Sequence, residues 1–292
     1  MKYRYLFFII VSFALTGHAY DDPTCTSVGY SPRGRALGNA AFAHTMGSES
    51  VFYNPATYRH TDSIDLYCSY FKQYDLVDYG TITAALPYNT LMGISYSADG
   101  LYSEYVIKAS YVFPQKVYEF MYIAASMSVL YAATEPAQET GGNVEGSGIG
   151  LSPEIAIFCP VSDTFAVSMQ LRDIGGFMRW NTRAAEGYDA ESKGIYAHMR
   201  TMDVINVYYY KPHKNVGISF FHRNFSSFGV GTEYTYKDMV SGRLGYTRYM
   251  EDEVTQKVTF GIGAVYQKYR VDIAYEINSF QSMMLVGLGI VF

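Results

Sequence analysis

The sequence predicts an all-β protein, a 14-stranded antiparallel transmembrane β-barrel with a small N-terminal plug segment (a hatch). Bulky apolar residues alternate with small or polar ones over much of the chain, as expected of strands with two unlike faces. Aromatic residues make up 17% of the 292 residues, and charged residues make up another 17%. Mean hydropathy is nonetheless only -0.03, because one face of each such strand is apolar and the other is not. No internal run approaches the roughly 18 apolar residues that a spanning helix needs.

The final ten residues, Met283 to Phe292, carry the clearest strand pattern. One register of this stretch is bulky and apolar, and the other holds Gly287 and Gly289 at its centre. Such a strand fits a barrel wall with lipid on one side and a lumen on the other, although a buried sandwich strand has a similar pattern. An apolar final strand that ends in an aromatic residue resembles the C-terminal signal that the assembly machinery of bacterial outer-membrane barrels reads. The signal residues would be Val286, Leu288, Ile290 and Phe292.

Residues 1–19 have the pattern of a secretory signal peptide. Lys2 and Arg4 precede an apolar stretch from Leu6 to Leu15, and cleavage is expected after Ala19. The alternative is an uncleaved anchor, but the apolar stretch is short for one. Cleavage would leave 20 basic and 27 acidic residues and move the net charge from -5 to -7, which argues against a nucleic-acid partner.

The cysteines and histidines suggest no metal site and no cofactor. The three cysteines, Cys25, Cys68 and Cys159, cannot form a fully paired set within the chain, and whether Cys25 is paired stays open. The six histidines are scattered and form no HExxH motif. No GxSxG or comparable nucleophile motif occurs either, so we expect no catalytic residues and no enzyme.

Fourteen alternating segments follow the N-terminal region. They lie near 62–72, 78–87, 90–99, 102–113, 118–132, 147–158, 163–173, 202–210, 214–223, 226–237, 239–250, 256–267, 269–278 and 282–292. Because bacterial barrels have even strand numbers and periplasmic termini, every second connection should be short. Six connections fit this rule: Pro87-Tyr88-Asn89, Pro114-Gln115-Lys116, Pro160-Val161-Ser162, Lys211 to Lys214, Lys237-Asp238 and Gln267-Lys268.

The connections at the other end should face outward and include the long ones. These are Thr134 to Gly146 and Gly175 to Thr201, together with a short acidic connection from Met250 to Thr255. Ile195 to Thr201 could be a fifteenth strand. We assign it to an ordered part of the outer loop, because an odd strand number would place the termini on opposite sides.

Charged residues in the last third of the chain share the register of the glycines. A charge at the bilayer midplane costs roughly 2–4 kcal/mol, so these side chains should face the lumen. They are Glu233, Arg243, Arg270, Asp272 and Glu276. Arg243 could pair with Glu233 across strands, and Arg270 with Asp272 along one strand. Arg248 departs from the pattern, but near the outer rim its side chain can reach water.

The region from 20 to 60 does not alternate and is a compact segment ahead of the barrel, which runs from 61 to 292. A periplasmic arm is the alternative to a plug for this region. Its small residues are closely spaced, and a short helix is possible from Ala36 to Met46. The Asn54-Pro55-Ala56 motif then breaks the pattern. If this segment docks inside the barrel, Arg33 or Arg35 could meet an interior acid such as Glu233.

The residues of this segment resemble the N-terminal box of the FadL superfamily of long-chain fatty-acid transport barrels. The matching plug residues include Gly34, Arg35, Gly38, Ala41, Asn54, Pro55 and Ala56. The box resembles still more the shorter PorV- and PorQ-like relatives and an uncharacterised bacterial outer-membrane family beside them. The stretches Gly229–Tyr234 and Arg243–Tyr246 are similar to the PorV-like group. The resemblance implies a 14-stranded barrel, with Asn54-Pro55-Ala56 shaping the plug.

Two functions follow from this resemblance. The first is an outer-membrane channel, gated by its plug, that takes up hydrophobic ligands such as long-chain fatty acids. The second is a PorV-like adaptor barrel that partners exported proteins and transports nothing. A general hydrophilic porin is less favoured, because the plug would block the pore. Expected partners are outer-membrane lipid, a hydrophobic ligand and the barrel-assembly machinery.

Overall fold

The structure is a computed structural model, and it describes residues 31–41, 47–58, 62–73, 75–114, 120–134, 144–184, 194–224, 226–250, 256–278 and 282–292. These contain one short helix, α1 (Pro32–Ala36), two 3-10 turns (Ser48–Val51 and Pro55–Thr57) and sixteen strands. The strands are β1 (Asp65–Gln73), β2 (Val77–Leu86), β3 (Thr90–Ala98), β4 (Tyr102–Val112), β5 (Tyr122–Thr134), β6 (Val144–Pro160), β7 (Phe165–Arg172), β8 (Phe177–Ala184), β9 (Gly194–Met199), β10 (Asp203–His213), β11 (Val216–Arg223), β12 (Ser227–Tyr236), β13 (Val240–Tyr249), β14 (Gln256–Tyr266), β15 (Tyr269–Asn278) and β16 (Met283–Val291).

Fourteen of these strands close into an antiparallel barrel, as predicted. β1 pairs with β16, so that Cys68 lies opposite Leu288, and β5 pairs with β6 along its whole length. β7 pairs with β10, and β10 to β16 continue around the ring in chain order. The predicted alternation of faces is the reason that the wall can bury one side of every strand.

The remaining strands, β8 and β9, form a hairpin that extends the wall beyond the ring. β6 has 17 residues and β7 only eight, so the outer half of β6 needs another partner for its backbone groups. β8 supplies that partner, and β9 pairs with β8. The assignment of Ile195 to Thr201 to loop is wrong, because strand β9 covers most of it. The number of ring strands is still fourteen, since β9 pairs with β8 outside the ring.

The strand connections at one end of the barrel are short. In the 237–239 connection Lys237 and Asp238 both have positive φ, at 49° and 56°, which suits the tight turns whose twist matches antiparallel strands. The prediction of a three-residue connection at Pro114 to Lys116 is wrong, because β4 ends at Val112 and β5 begins at Tyr122.

The two faces of the wall have opposite composition. Along β15, Val271, Ile273 and Tyr275 are exposed, whereas Asp272 and Glu276 are buried. Exposed apolar and aromatic side chains form a similar band on the other strands, as a surface in contact with lipid requires. None of the helices in the described residues is long and apolar enough to cross a membrane.

The described N-terminal residues, 31–41 and 47–58, lie inside the barrel, and we call them the plug. Almost all of them are buried. The helix predicted from Ala36 to Met46 is wrong: α1 begins one turn earlier, with Pro32 in its first turn, and residues 42–46 lie outside the described ranges. Gly38 and Asn39 both have positive φ, which ends the helix.

Candidate functional site

The plug meets two different walls inside the barrel. α1 and the residues after it lie against the inner face of β12 to β16, which we call the glycine wall. The two 3-10 turns lie against the inner face of β2 to β7, which we call the alanine wall, since Ala85, Ala124, Ala156 and Ala166 are buried there. This lumen, crossed by its own N-terminal segment, is the candidate functional site.

Glycines let the plug backbone touch the glycine wall directly. A Cβ atom on Gly231 would lie 2.4 Å from the carbonyl oxygen of Leu37, and one on Gly245 would lie 2.1 Å from the amide nitrogen of Gly38. Both contacts are with backbone, which cannot swing aside. Close approach of the plug also explains Gly229 and Gly261, whereas Gly287 makes room for the Tyr67 side chain of β1.

Gly38 on the plug, like the wall glycines that it touches, occupies a position with no room for a side chain. Its φ of +59° suits a residue without a side chain, and a Cβ atom there would lie 2.6 Å from the carbonyl oxygen of Tyr246. Thr247 donates a hydrogen bond of 2.9 Å to the Gly38 carbonyl oxygen. Gly34, another residue of the box, packs under the Tyr53 ring, and Ala41 is fully buried beside Ile205.

A chain of alternating charges runs from the plug through the glycine wall and back to the plug. Its members, in order, are Arg33, Glu233, Arg243, Asp272, Arg270 and Glu49, joined by distances of 3.0, 2.5, 2.6, 3.6 and 2.7 Å. The chain holds three positive and three negative groups. The predicted pairs Glu233–Arg243 and Arg270–Asp272 are therefore present, and each also has a plug residue as a neighbour.

A second ionic contact joins the plug to the same wall. Arg35 lies 3.4 Å from Glu276, which also binds Lys257 at 3.2 Å. The prediction allowed either arginine of the plug to meet an interior acid such as Glu233. In the structure Arg33 does so, and Arg35 reaches a different acid. Removing one partner from a buried pair strands the other charge, typically at a cost of about 3–5 kcal/mol, so these contacts hold the plug firmly.

Burial shifts the pKa of two polar side chains of the plug, Glu49 and Tyr53. Burial raises the pKa of the Glu49 carboxyl, and the Arg270 guanidinium opposes that rise. Ser31 donates a short hydrogen bond to the same carboxyl. Burial also raises the pKa of the Tyr53 hydroxyl, which therefore stays protonated and donates to the Ser31 carbonyl oxygen at 3.3 Å.

The Asn54-Pro55-Ala56 motif docks the plug on the alanine wall. The Asn54 side chain is fully buried, and its Oδ1 accepts a hydrogen bond of 2.9 Å from the Ala56 amide. Its Nδ2 donates to Ser168 Oγ at 2.8 Å and to the Ile157 carbonyl oxygen at 3.1 Å. Asn54 thus begins the second 3-10 turn and fastens it to β6 and β7.

Most other contacts with the alanine wall are apolar or neutral. Val51, Ala56 and Tyr58 pack in one cluster with the wall side chains, which include Leu91 and Phe158. Thr83 donates to Ser48 Oγ at 2.9 Å. This wall therefore binds the plug through groups that carry no charge on the plug side.

A charged cluster within the alanine wall was not predicted. Glu154 accepts from Lys108 at 2.6 Å, from Gln170 at 2.9 Å and from Ser128 at 3.2 Å. Arg172 lies 3.7 Å from the same carboxyl and donates to the Phe52 carbonyl oxygen at 2.6 Å. The available signal was the position of Lys108 and Glu154 in the inward register of their strands.

One apolar groove lies on the outward face of the wall. It encloses about 430 Å³ between β16, β1, β2 and β3. Ile82, Ile94 and Leu288 line it together with Cys68, and the ring of Tyr96 lies over Gly80. A hydrophobic molecule in the membrane could contact the protein here.

The remaining site residues are placed but not brought to the lumen. Val286, Leu288 and Ile290 are on the outward face of β16, and Phe292, just after the strand, is 62% exposed. Within the residues that the structure describes, no group of three His, Cys, Asp or Glu side chains is arranged to hold a metal ion.

Taken together, the lumen and wall define a transmembrane β-barrel that is plugged by its own N-terminal segment.

No family model and no curated protein sequence matches the chain. Solved structures do match its fold. A Pseudomonas aeruginosa FadL homologue has a TM-score of 0.62 at 9% identity, covering 94% of this chain and 99% of the other. The Pseudomonas putida toluene transporter TodX gives 0.57 at 12% identity, with coverage of 94% and 99%. The CymD monoaromatic hydrocarbon channel gives 0.59 at 12% identity, with coverage of 92% and 97%. The chain therefore has the FadL-like barrel fold.

Proposed function

We propose that this protein is an outer-membrane channel for the uptake of hydrophobic ligands, with long-chain fatty acids as the ligand class and the plug as its gate. The observation that carries the proposal is a plug that fills the lumen of a FadL-like barrel. Structures with this fold include toluene transporters and a monoaromatic hydrocarbon channel. The box from Gly34 to Ala56 resembles the same superfamily. The apolar groove on the wall offers such a ligand a further contact.

The two walls suggest how the plug would open. Ionic contacts hold it to the glycine wall, and separating them would strand buried charges. Contacts on the alanine wall are apolar or neutral apart from the bond that Arg172 donates to the Phe52 carbonyl oxygen. A hydrophobic ligand could replace the apolar ones with contacts of its own. The plug would therefore stay fixed on β12 to β16 through Arg33 and Arg35, and the ligand would pass between its second half and β2 to β7. Glu49, which lies in that half, would separate from Arg270, which still faces Asp272.

A cross-link between plug and wall tests this gate. Ser48 on the plug and Thr83 on β2 are joined by a hydrogen bond of 2.9 Å, so the pair Ser48→Cys/Thr83→Cys is suitably close for a disulfide. The control is Ser69→Cys/Thr81→Cys, whose hydroxyls are 2.6 Å apart on β1 and β2 and leave the plug free. Both pairs would be made in a background with Cys25→Ser, Cys68→Ala and Cys159→Ala.

The measurement is uptake of radiolabelled oleate and toluene by cells or proteoliposomes. We expect the oxidised plug–wall pair to lose uptake and to regain it on reduction, while the control pair transports in both states. Equal uptake by the oxidised and reduced plug–wall pair would exclude a moving gate. Toluene uptake without oleate uptake would exclude fatty acids as the ligand class.

The alternative is an adaptor barrel that binds exported proteins. The ionic chain favours it, because a plug held so firmly suits a barrel that never opens. The outer hairpin also favours it, since Ile195, Tyr196 and Met199 on β9 are exposed at an edge strand that could pair with another chain. The alternative would be supported if the plug–wall pair transported nothing, whether oxidised or reduced, and co-purified with a defined protein partner.

A further inference from the structure

A row of tyrosines crosses the outward face of three neighbouring strands. Tyr96, Tyr105 and Tyr131 lie directly opposite one another on β3, β4 and β5. Their ring centroids are 6.5 and 6.2 Å apart. Rows of tyrosine of this kind mark the level at which a bilayer changes from acyl chains to head groups.

The same row continues into a basic residue on the outer hairpin. Tyr131 lies opposite Ile149 on β6, and Ile149 lies opposite Arg179 on β8. Ile149 is 57% exposed on the outward face, and Arg179 is exposed too. The apolar side chain of Ile149 and the guanidinium group of Arg179 are therefore neighbours at the level of the tyrosine row.

The next row toward the outer rim is built from small and polar residues. Ala133, Ser147 and Asn181 lie opposite one another on β5, β6 and β8. They leave a cavity of about 340 Å³ above Tyr131, which Glu145 and Arg183 also line. We call this cavity the head-group shelf. Its position just beyond the tyrosine row is that of a lipid head group rather than of an acyl chain.

The charge of the head-group shelf favours an anion. Arg183 lines the shelf, and the exposed Arg179 borders it, two residues from Asn181 on the same face of β8. Two positive charges therefore stand against one negative charge on Glu145. Arg183 binds Glu145, yet its side chain is 79% exposed and therefore accessible to a ligand. Guanidinium groups bind phosphate oxygens through paired hydrogen bonds.

We propose that the head-group shelf binds the phosphorylated sugar head group of a glycolipid in the outer leaflet of the outer membrane. Arg179 and Arg183 would bind the phosphate, Ser147 and Asn181 would bind sugar hydroxyls, and Tyr131 with Ile149 would contact the first part of the acyl chains. A glycolipid fits because the shelf combines phosphate-binding guanidinium groups with neutral hydrogen-bonding groups. The proposal depends on the outer-membrane location, but not on what passes through the lumen.

The test is a titration of the purified, delipidated barrel with lipid A, a bisphosphorylated glucosamine glycolipid, in mild detergent. Native mass spectrometry reads the number of bound lipids and the affinity. We expect one saturable site on the wild-type barrel. Arg179→Gln/Arg183→Gln should weaken binding by roughly tenfold or more, because two charge-assisted contacts are lost. Ser147→Phe, which keeps both arginines and fills the shelf, should weaken it as well.

Controls separate a built site from general attraction to lipid. Arg248→Gln removes another exposed, outward arginine near the outer rim and should leave the affinity unchanged. Dephosphorylated lipid A should bind the wild-type barrel as weakly as lipid A binds the double variant. Less than a twofold change in the double variant, an equal loss with Arg248→Gln, or equal binding of phosphatidylglycerol would each overturn the proposal. None of these results bears on oleate uptake, so a failure here is distinct from a failure of the transport proposal.

Discussion

The glycine wall and the alanine wall hold the same plug by different means. On the glycine wall, backbone touches backbone, and buried charges pass from plug to wall at Arg33–Glu233 and Arg270–Glu49. On the alanine wall the charged cluster around Glu154 is bonded mainly to other wall residues. The plug is held there by apolar side chains, by neutral hydrogen bonds and by one bond from Arg172 to the Phe52 carbonyl oxygen. Contacts of the first kind are costly to separate, whereas those of the second kind can be exchanged for a ligand.

The largest expected effect is at the centre of the ionic chain. Asp272 is fully buried and lies 2.6 Å from Arg243 and 3.6 Å from Arg270. Asp272→Asn removes the charge that both arginines face, and we expect a loss of about 3–5 kcal/mol in the free energy of unfolding. Urea unfolding in micelles, monitored by the heat-dependent migration of the barrel on gels, measures this free energy.

A surface pair provides the control for this change. Glu145→Gln breaks the exposed pair with Arg183, which should cost less than about 1 kcal/mol. Equal losses for the two variants would mean that the ionic chain does not anchor the plug.

The second effect concerns backbone contact on the glycine wall. Gly245→Val would place a Cβ atom 2.1 Å from the Gly38 amide nitrogen. We expect a loss near the upper end of the about 1–3 kcal/mol typical of overpacking, and faster proteolysis of the displaced plug. Gly242→Ala on the same strand meets nothing within 4 Å and should be neutral. A stable, protease-resistant Gly245→Val barrel would contradict the close approach.

Substitutions that weaken contacts with the alanine wall should cost less stability than those on the glycine wall. Asn54→Ala removes the side chain that caps the second 3-10 turn and donates to β6 and β7. We expect a loss of about 1–2 kcal/mol and higher oleate uptake, since the plug is loosened on the side proposed to open. If Asn54→Ala destabilised the barrel as much as Asp272→Asn, the two walls would not differ as described.

The smallest effect is expected from one neutral hydrogen bond. Thr83→Val removes the donor to Ser48 Oγ on the plug and should cost about 1 kcal/mol. Thr81→Val, which removes a hydrogen bond between β1 and β2 instead, should cost a similar amount. The two variants should differ in oleate uptake, with only Thr83→Val raising it; equal uptake would count against an opening on this side.

Local sequence pattern was sufficient to predict the barrel. Alternation places Asp272 and Glu276 inward on β15 without any knowledge of their partners, because the period of a strand is 2. The pair Glu233–Arg243 was also predictable, since a tight turn at Lys237 and Asp238 fixes the register of β12 and β13.

Contacts between distant segments could not be predicted in the same way. Glu154 meets Lys108 only because β5 lies between β4 and β6 in a particular register. The choice of Glu276 for Arg35 depends on where α1 ends. That end is set by the positive φ of Gly38 against the glycine wall, which is a property of the docked plug and not of the helix alone.

Hydrogen–deuterium exchange across the plug tests the central difference between the walls most directly. Peptides covering 31–41 report on contact with the glycine wall. Peptides covering 47–58 report mainly on the alanine wall, although Glu49 in this segment also binds Arg270 on the glycine wall. On addition of oleate, the account predicts faster exchange in 47–58 and unchanged, slow exchange in 31–41. Faster exchange in 31–41, or no change in either segment while oleate is being transported, would contradict it.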